Sequence, residues 1–190
     1  MSRDVDWQRY GVALAAGAAL LLAMDTLRLF GGDPLLSAWI RLETHYYFAL
    51  LGLLLPLVFF VFPRWLPLDA VLAAAVLVCC VYFFRHAADI VDLGWEFGAP
   101  PTATWLAVAL WIVLLEAVRR AGGWALFVIT GLFSLMPLVA DRLPGPFGGL
   151  PADWSQTAAY HVLSIESVFG LPFRAFAELV IGFVLFGLAL

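Results

Sequence analysis

The chain has 190 residues, 64% of them hydrophobic and 13% charged, against roughly 25% charged in soluble globular domains. No soluble core of this length hides eight Trp and sixteen Phe. Ten Arg, no Lys and a net charge of −4 leave no polybasic patch, so nucleic acid is excluded as a partner and anionic lipid recognition has no support. The composition is that of an integral membrane protein. A hydrocarbon core of about 30 Å is crossed by roughly 20 apolar residues as helix, and offers backbone N–H and C=O groups no other partners.

In chain order, MSRDVDWQRY precedes a first apolar segment, Gly11 to Phe30. Acidic Asp4 and Asp6 in the leader, and no small-x-small cleavage signal before Asp25 and Arg28, argue for a retained span over a signal peptide. Ala15, Gly17 and Ala19 allow close helix approach there. Pro34 to Glu43 reads as an interfacial amphipathic helix, with Leu35, Leu36, Trp39 and Ile40 on one side. The second span is Tyr46 to Phe62. The third is Ala70 to Phe84, long enough if it starts at Leu66 with Asp69 at the interface, since proline is tolerated in a first helical turn. The adjacent Cys79 and Cys80 lie inside it and read as packing residues.

His86, Asp89, Asp92 and Glu96 follow at spacings of three, three and four, so one helical face carrying all four would suit a divalent cation or a proton relay. The reading adopted is simpler: they lie past the span end, where Trp95 and Phe97 mark the interface and water solvates the charges. A fourth span covers Phe97 to Leu115. Glu116 with Arg119 and Arg120 then has the spacing of a local ion-pair group at a tight turn. The fifth span is Ala121 to Ala140, uncharged throughout. The proline- and glycine-dense loop DRLPGPFGGLPADW follows, with Asp153 or Ser155 as the cap of the next helix. That helix, Trp154 to Phe169, sets Trp154, Ala158, Val162, Ile165 and Phe169 against Ser155, Gln156, Ser164 and Glu166, again as an interfacial helix. His45 and His161 have no catalytic motif beside them and read as hydrogen-bonded interfacial histidines. A sixth span runs from about Pro172 to Leu190, interrupted by Arg174 and Glu178, with no polar tail; the chain is expected to be one piece of a longer design.

The expected fold is therefore an all-α membrane protein of about six transmembrane helices and two interfacial helices. Arginines divide equally between the two sides, and the adjacent Arg119 and Arg120 in a short turn favour an N-terminus inside.

LEAVRRAGGWALFVITGLFSLMPLVADRLPG resembles a stretch of the fused permeases of tripartite ATP-independent periplasmic (TRAP) transporters, TAXI subclass, in which an acidic residue, Arg and Gly-Trp-Ala-Leu open a span that ends in a Leu-Pro-Gly loop. ESVFGLPFRAFAELVIGFVLFGLAL is similar to the family's Gly-(Ile/Val)-Phe-Gly-(Ile/Leu)-Pro pattern and the Phe-rich span behind it, closing on Leu185, Phe186, Gly187 and Leu190. THYYFALLGLLLPLVFFVFP resembles the family's second small-domain span, from His45 to Phe62 and Pro63.

The resemblance implies a small-subunit-like membrane domain over residues 1–100 and the start of the large permease domain over 101–190, ending before the hairpins that bind coupling ion and substrate. It implies a scaffold component of an ion-driven organic acid transporter in a bacterial inner membrane. Its partners would be a large permease domain or subunit, a periplasmic solute-binding protein and membrane lipid. No catalytic, cofactor-binding or metal-ligating residue is assigned, and no cofactor. The alternative, from another class, is a self-contained intramembrane metal-binding protein or enzyme using the face from His86 to Glu96.

Overall fold

The computed structural model describes residues 2–26, 36, 39–145 and 148–189, and they are helical with no strand among them. The helices are α1 (Ser2–Thr26), α2 (Glu43–Val61), α3 (Leu66–Arg85), α4 (Ala87–Asp92), α5 (Pro101–Leu135), α6 (Trp154–Leu163), α7 (Leu171–Arg174) and α8 (Ile181–Ala189). A 3₁₀ segment, Met136–Arg142, continues α5, and a π-helical turn, Ala175–Val180, joins α7 to α8. Three stretches are long and apolar enough to cross a bilayer: Glu43–Val61, Leu66–Arg85 and Pro101–Arg142. Tyr10–Thr26 is a shorter apolar helix. Of the interfacial helix expected over Pro34 to Glu43, residues 34, 35, 37 and 38 lie outside the described residues; Leu36 and Trp39 sit in turns, Ile40 and Arg41 are in no helix, and Glu43 opens α2.

Packing divides the chain into two compact units, Met1–Ala87 with Gly170–Leu190, and Ala88–Phe169.

In the first unit α2 is the central helix. Tyr47, Phe48, Leu50 and Phe59 are fully buried on it, and Phe48 stacks on Phe83 of α3 at 5.3 Å. The two helices approach closely where Gly52 faces Cys80: a Cβ on Gly52 would lie 3.1 Å from the Cys80 Cβ. Both cysteines are free and buried, which fits their reading as packing residues. On α1, Ala19, Leu22 and Ala23 form the buried stripe that meets α2 and α8. Helix α3 starts at Leu66, with Pro67 in its first turn. Asp69, in the first turn of α3, is buried: its Oδ2 accepts the N–H groups of Arg64 and Trp65 at 2.9 and 3.0 Å, satisfying donors at the helix start.

In the second unit α5 is a hairpin. Gly123 has φ 78° and ψ −177°, a conformation that favours glycine, and it separates an arm of residues 101–122 from one of 124–135. A straight helix would hold Trp111 roughly 34 Å from Ser134 at about 1.5 Å per residue. Both instead touch His161 of α6, so the arms fold back on one another. The turn expected after Glu116 is this break. Helix α6 packs on α5 through Thr157, Ala158, Val162 and Leu163. It stops at Ser164, short of the expected Phe169; Ser164 is buried and Ile165 exposed, the reverse of the expected faces, because the helical period ends between them.

Candidate functional site

Among the described residues, polar groups gather at several places in these apolar helices. The first lies in the unit of Met1–Ala87 with Gly170–Leu190. Glu43, Tyr46 and Tyr47 open α2, and the π-helical turn carries Ala177 and Glu178. The Tyr46 hydroxyl donates to the Ala177 carbonyl at 2.7 Å, and the Tyr47 hydroxyl to Glu178 Oε1 at 2.7 Å. Arg174 hydrogen-bonds the Tyr47 side chain and lies 3.7 Å from Glu43 Oε2, and Phe173 meets the Tyr47 ring edge-on. A π turn displaces the regular i to i−4 ladder and is frequent at functional sites. Here a tyrosine hydroxyl takes one of its carbonyls. Ionisable groups in a membrane chain are functional candidates, but Glu43 and Arg174 side chains are 72% and 37% exposed, at the mouth of α2 rather than at mid-span. The arrangement fastens the last helix to α2 by paired polar groups.

The second place is the hairpin elbow. Glu116 Oε1 lies 2.6 Å from Arg119 Nη2 and 2.8 Å from Arg120 Nε, and the Arg119 guanidinium sits over the Trp124 ring at 5.0 Å. The ion pairs join residues of the first arm, and the cation–π contact spans the Gly123 break, so the elbow is held from both sides. The expected local ion-pair group is present.

The third is His161. Its Nε2 is 2.7 Å from the Ser134 carbonyl, which can only accept, so Nε2 carries the proton and Nδ1 accepts from the Ser167 hydroxyl at 2.9 Å. Residue 137, the donor that an i to i+3 pattern would supply to Ser134, is a proline, and the imidazole N–H serves that carbonyl. Trp111 lies against the ring at 5.2 Å. Burial holds the His161 pKa below its ordinary value, the Ser134 contact opposing it. His45 differs from expectation: it lies in the first turn of α2, edge-on to Phe84, and its buried Nδ1 makes no hydrogen bond.

The face expected from His86 to Glu96 does not form as one helix. Helix α3 ends at Arg85, His86 caps it against Tyr82, α4 stops at Asp92, and Glu96 lies in turns that pass through Gly94 at φ 62°. Asp92 is exposed, and Asp89 and Glu96 half-buried. Among the described residues no three His, Cys, Asp or Glu side chains are grouped to share a metal ion. Glu96 instead lines an open groove of about 730 Å³ with Phe97, Phe133, Met136, Gln156 and Tyr160. Helix α6 begins at Asp153, one of the two expected caps: its Oδ1 accepts the Gln156 N–H at 2.8 Å while Gln156 Oε1 accepts the Asp153 N–H at 3.2 Å. The Gln156 N–H first, and the Ser155 hydroxyl at 2.7 Å, hold the Asp153 carboxyl below its usual pKa.

Sequence reasoning noted Arg174 and Glu178 as interruptions of an apolar run and did not join them to Glu43 or Tyr47, because 131 positions separate Tyr47 from its partner. The unusual pair Tyr46-Tyr47 at a span start was the available signal. No family model, curated protein or solved structure matches the chain.

Proposed function

We propose that the chain is a membrane scaffold component of a TRAP-type secondary transporter in a bacterial inner membrane, working beside a large permease domain and a periplasmic solute-binding protein. Its six crossings would be α1, α2, α3, the two arms of α5 and the stretch from Leu171 to Ala189, with the N-terminus inside. The observation that carries the reading is the uneven cover of its apolar helices. Half of the apolar window of α2 is buried, against 11% of that in Pro101–Arg142. The second arm alone leaves Trp124, Val128, Ile129, Leu132 and Phe133 exposed. Lipid covers such a surface, and so does a neighbouring membrane domain.

A second support is that Tyr47 is paired with Glu178, Glu116 with Arg119, and His161 with the Ser134 carbonyl. Groups so engaged suit a static wall better than a substrate path, where broken helices present free backbone ends at the midplane. A photo-crosslinking amino acid at Ile129 or Leu132, in cells that also make a large TRAP-type permease, should yield a covalent adduct with that permease. Adducts with lipid alone at both positions would remove the support for a scaffold role.

A further inference from the structure

The groove in the unit Ala88–Phe169 has no part in a scaffold role. Its volume of about 730 Å³ lies in the range of ligand pockets, roughly 300–1,000 Å³. Its walls are mainly apolar, from Phe97, Phe133 and Met136, with Glu96, Gln156 and Tyr160 as polar members. Because the arms of α5 fold back, the segment before Pro101 and the end of the second arm come to the same end of the hairpin, away from the Arg119 elbow. Head groups lie at that depth if the arms cross the bilayer. The Glu96 carboxylate and the Tyr160 hydroxyl have no hydrogen-bond or ion-pair partner among the described residues. A carboxylate at the edge of an apolar groove calls for a cation on an apolar body, and it repels a purely anionic head group.

We propose that this groove seats one phospholipid with a primary ammonium head group, a phosphatidylethanolamine, its ammonium on Glu96 with Tyr160 at hand for the phosphate, and an acyl chain along Phe97, Phe133 and Met136. The proposal rests on the chain being a membrane protein, not on its belonging to a transporter. The purified full chain, given equimolar dioleoyl phosphatidylethanolamine and dioleoyl phosphatidylglycerol in micelles, is read by native mass spectrometry. One phosphatidylethanolamine per chain should be retained over phosphatidylglycerol by about tenfold, as a charge-assisted contact gives. Glu96→Gln, at a half-buried position, should keep its helical circular dichroism and lose the preference. Equal retention of the two lipids by the native chain, an undiminished preference in Glu96→Gln, or a lipid-free dimer in place of the lipid complex would each overturn the proposal.

Discussion

His161 makes the stability of its unit depend on pH. Its pKa in the fold lies below the ordinary value of 6.5 because burial disfavours the imidazolium. The unfolded chain therefore binds more protons across the interval between the two values. Stability is full above the ordinary value and falls as pH drops through it toward the folded value. His161→Gln, which keeps a donor for the Ser134 carbonyl but does not titrate, should show a flatter dependence of melting temperature on pH between about 7 and 5. Equal slopes in the two proteins would remove His161 from this role. At the elbow, Gly123→Ala meets no steric obstacle but places a Cβ at φ 78° and ψ −177°, a region kept almost wholly by glycine, so it should lower stability by about 1–3 kcal/mol. Gly131→Ala, also in open space but inside the helix, should be neutral or stabilising in the same denaturant titration. Much at this scale was legible in sequence because it is local: the Asp153 cap and the Glu116 ion pairs join residues within four positions. The Tyr47–Glu178 and His161–Ser134 bonds were not, since nothing in a linear pattern tells which distant carbonyl or carboxylate a side chain will reach.

At the scale of elements, the π-helical turn is held open by Tyr46. Its hydroxyl gives the Ala177 carbonyl a partner in a buried setting, so Tyr46→Phe leaves that oxygen unsatisfied at a cost of about 1–3 kcal/mol. Backbone amide exchange over residues 177–182 should then quicken, and more than in Tyr47→Phe, whose acceptor Glu178 is exposed to other partners. Equal exchange in Tyr46→Phe and the native chain would show that the turn holds without the tyrosine. Apolar runs located α2 and α3 well, and Pro67 correctly marked a helix start. The breaks were harder to read. The end of α3 at Arg85 falls one residue past the expected Phe84, but a helix that ends at Ser164 between two buried stretches carries no proline or glycine at the stop, so the expected periodicity ran through it. The π turn carries a tertiary hydrogen bond to a residue 131 positions away, which no local composition signals.

For the whole molecule, membrane character was legible from composition, because hydrocarbon-facing residues have no soluble counterpart in such numbers. How many crossings there are depends on where helices bend. Pro101–Arg142 is one apolar stretch until the Gly123 break is seen. Partner surfaces are less legible still, since lipid-facing and protein-facing positions draw on the same Leu, Val, Phe and Trp. Six crossings predict that Leu150→Cys and Ala121→Cys, both at exposed positions and in a background lacking Cys79 and Cys80, label from opposite sides of sealed cells. Labelling from the same side would contradict the hairpin as a pair of spans. The scaffold role itself is tested most directly by transport. Proteoliposomes holding this chain alone, given an ion gradient, organic acids and their binding proteins, should take up no more than empty vesicles, and adding the large permease should start uptake. Uptake by the chain alone would contradict the account.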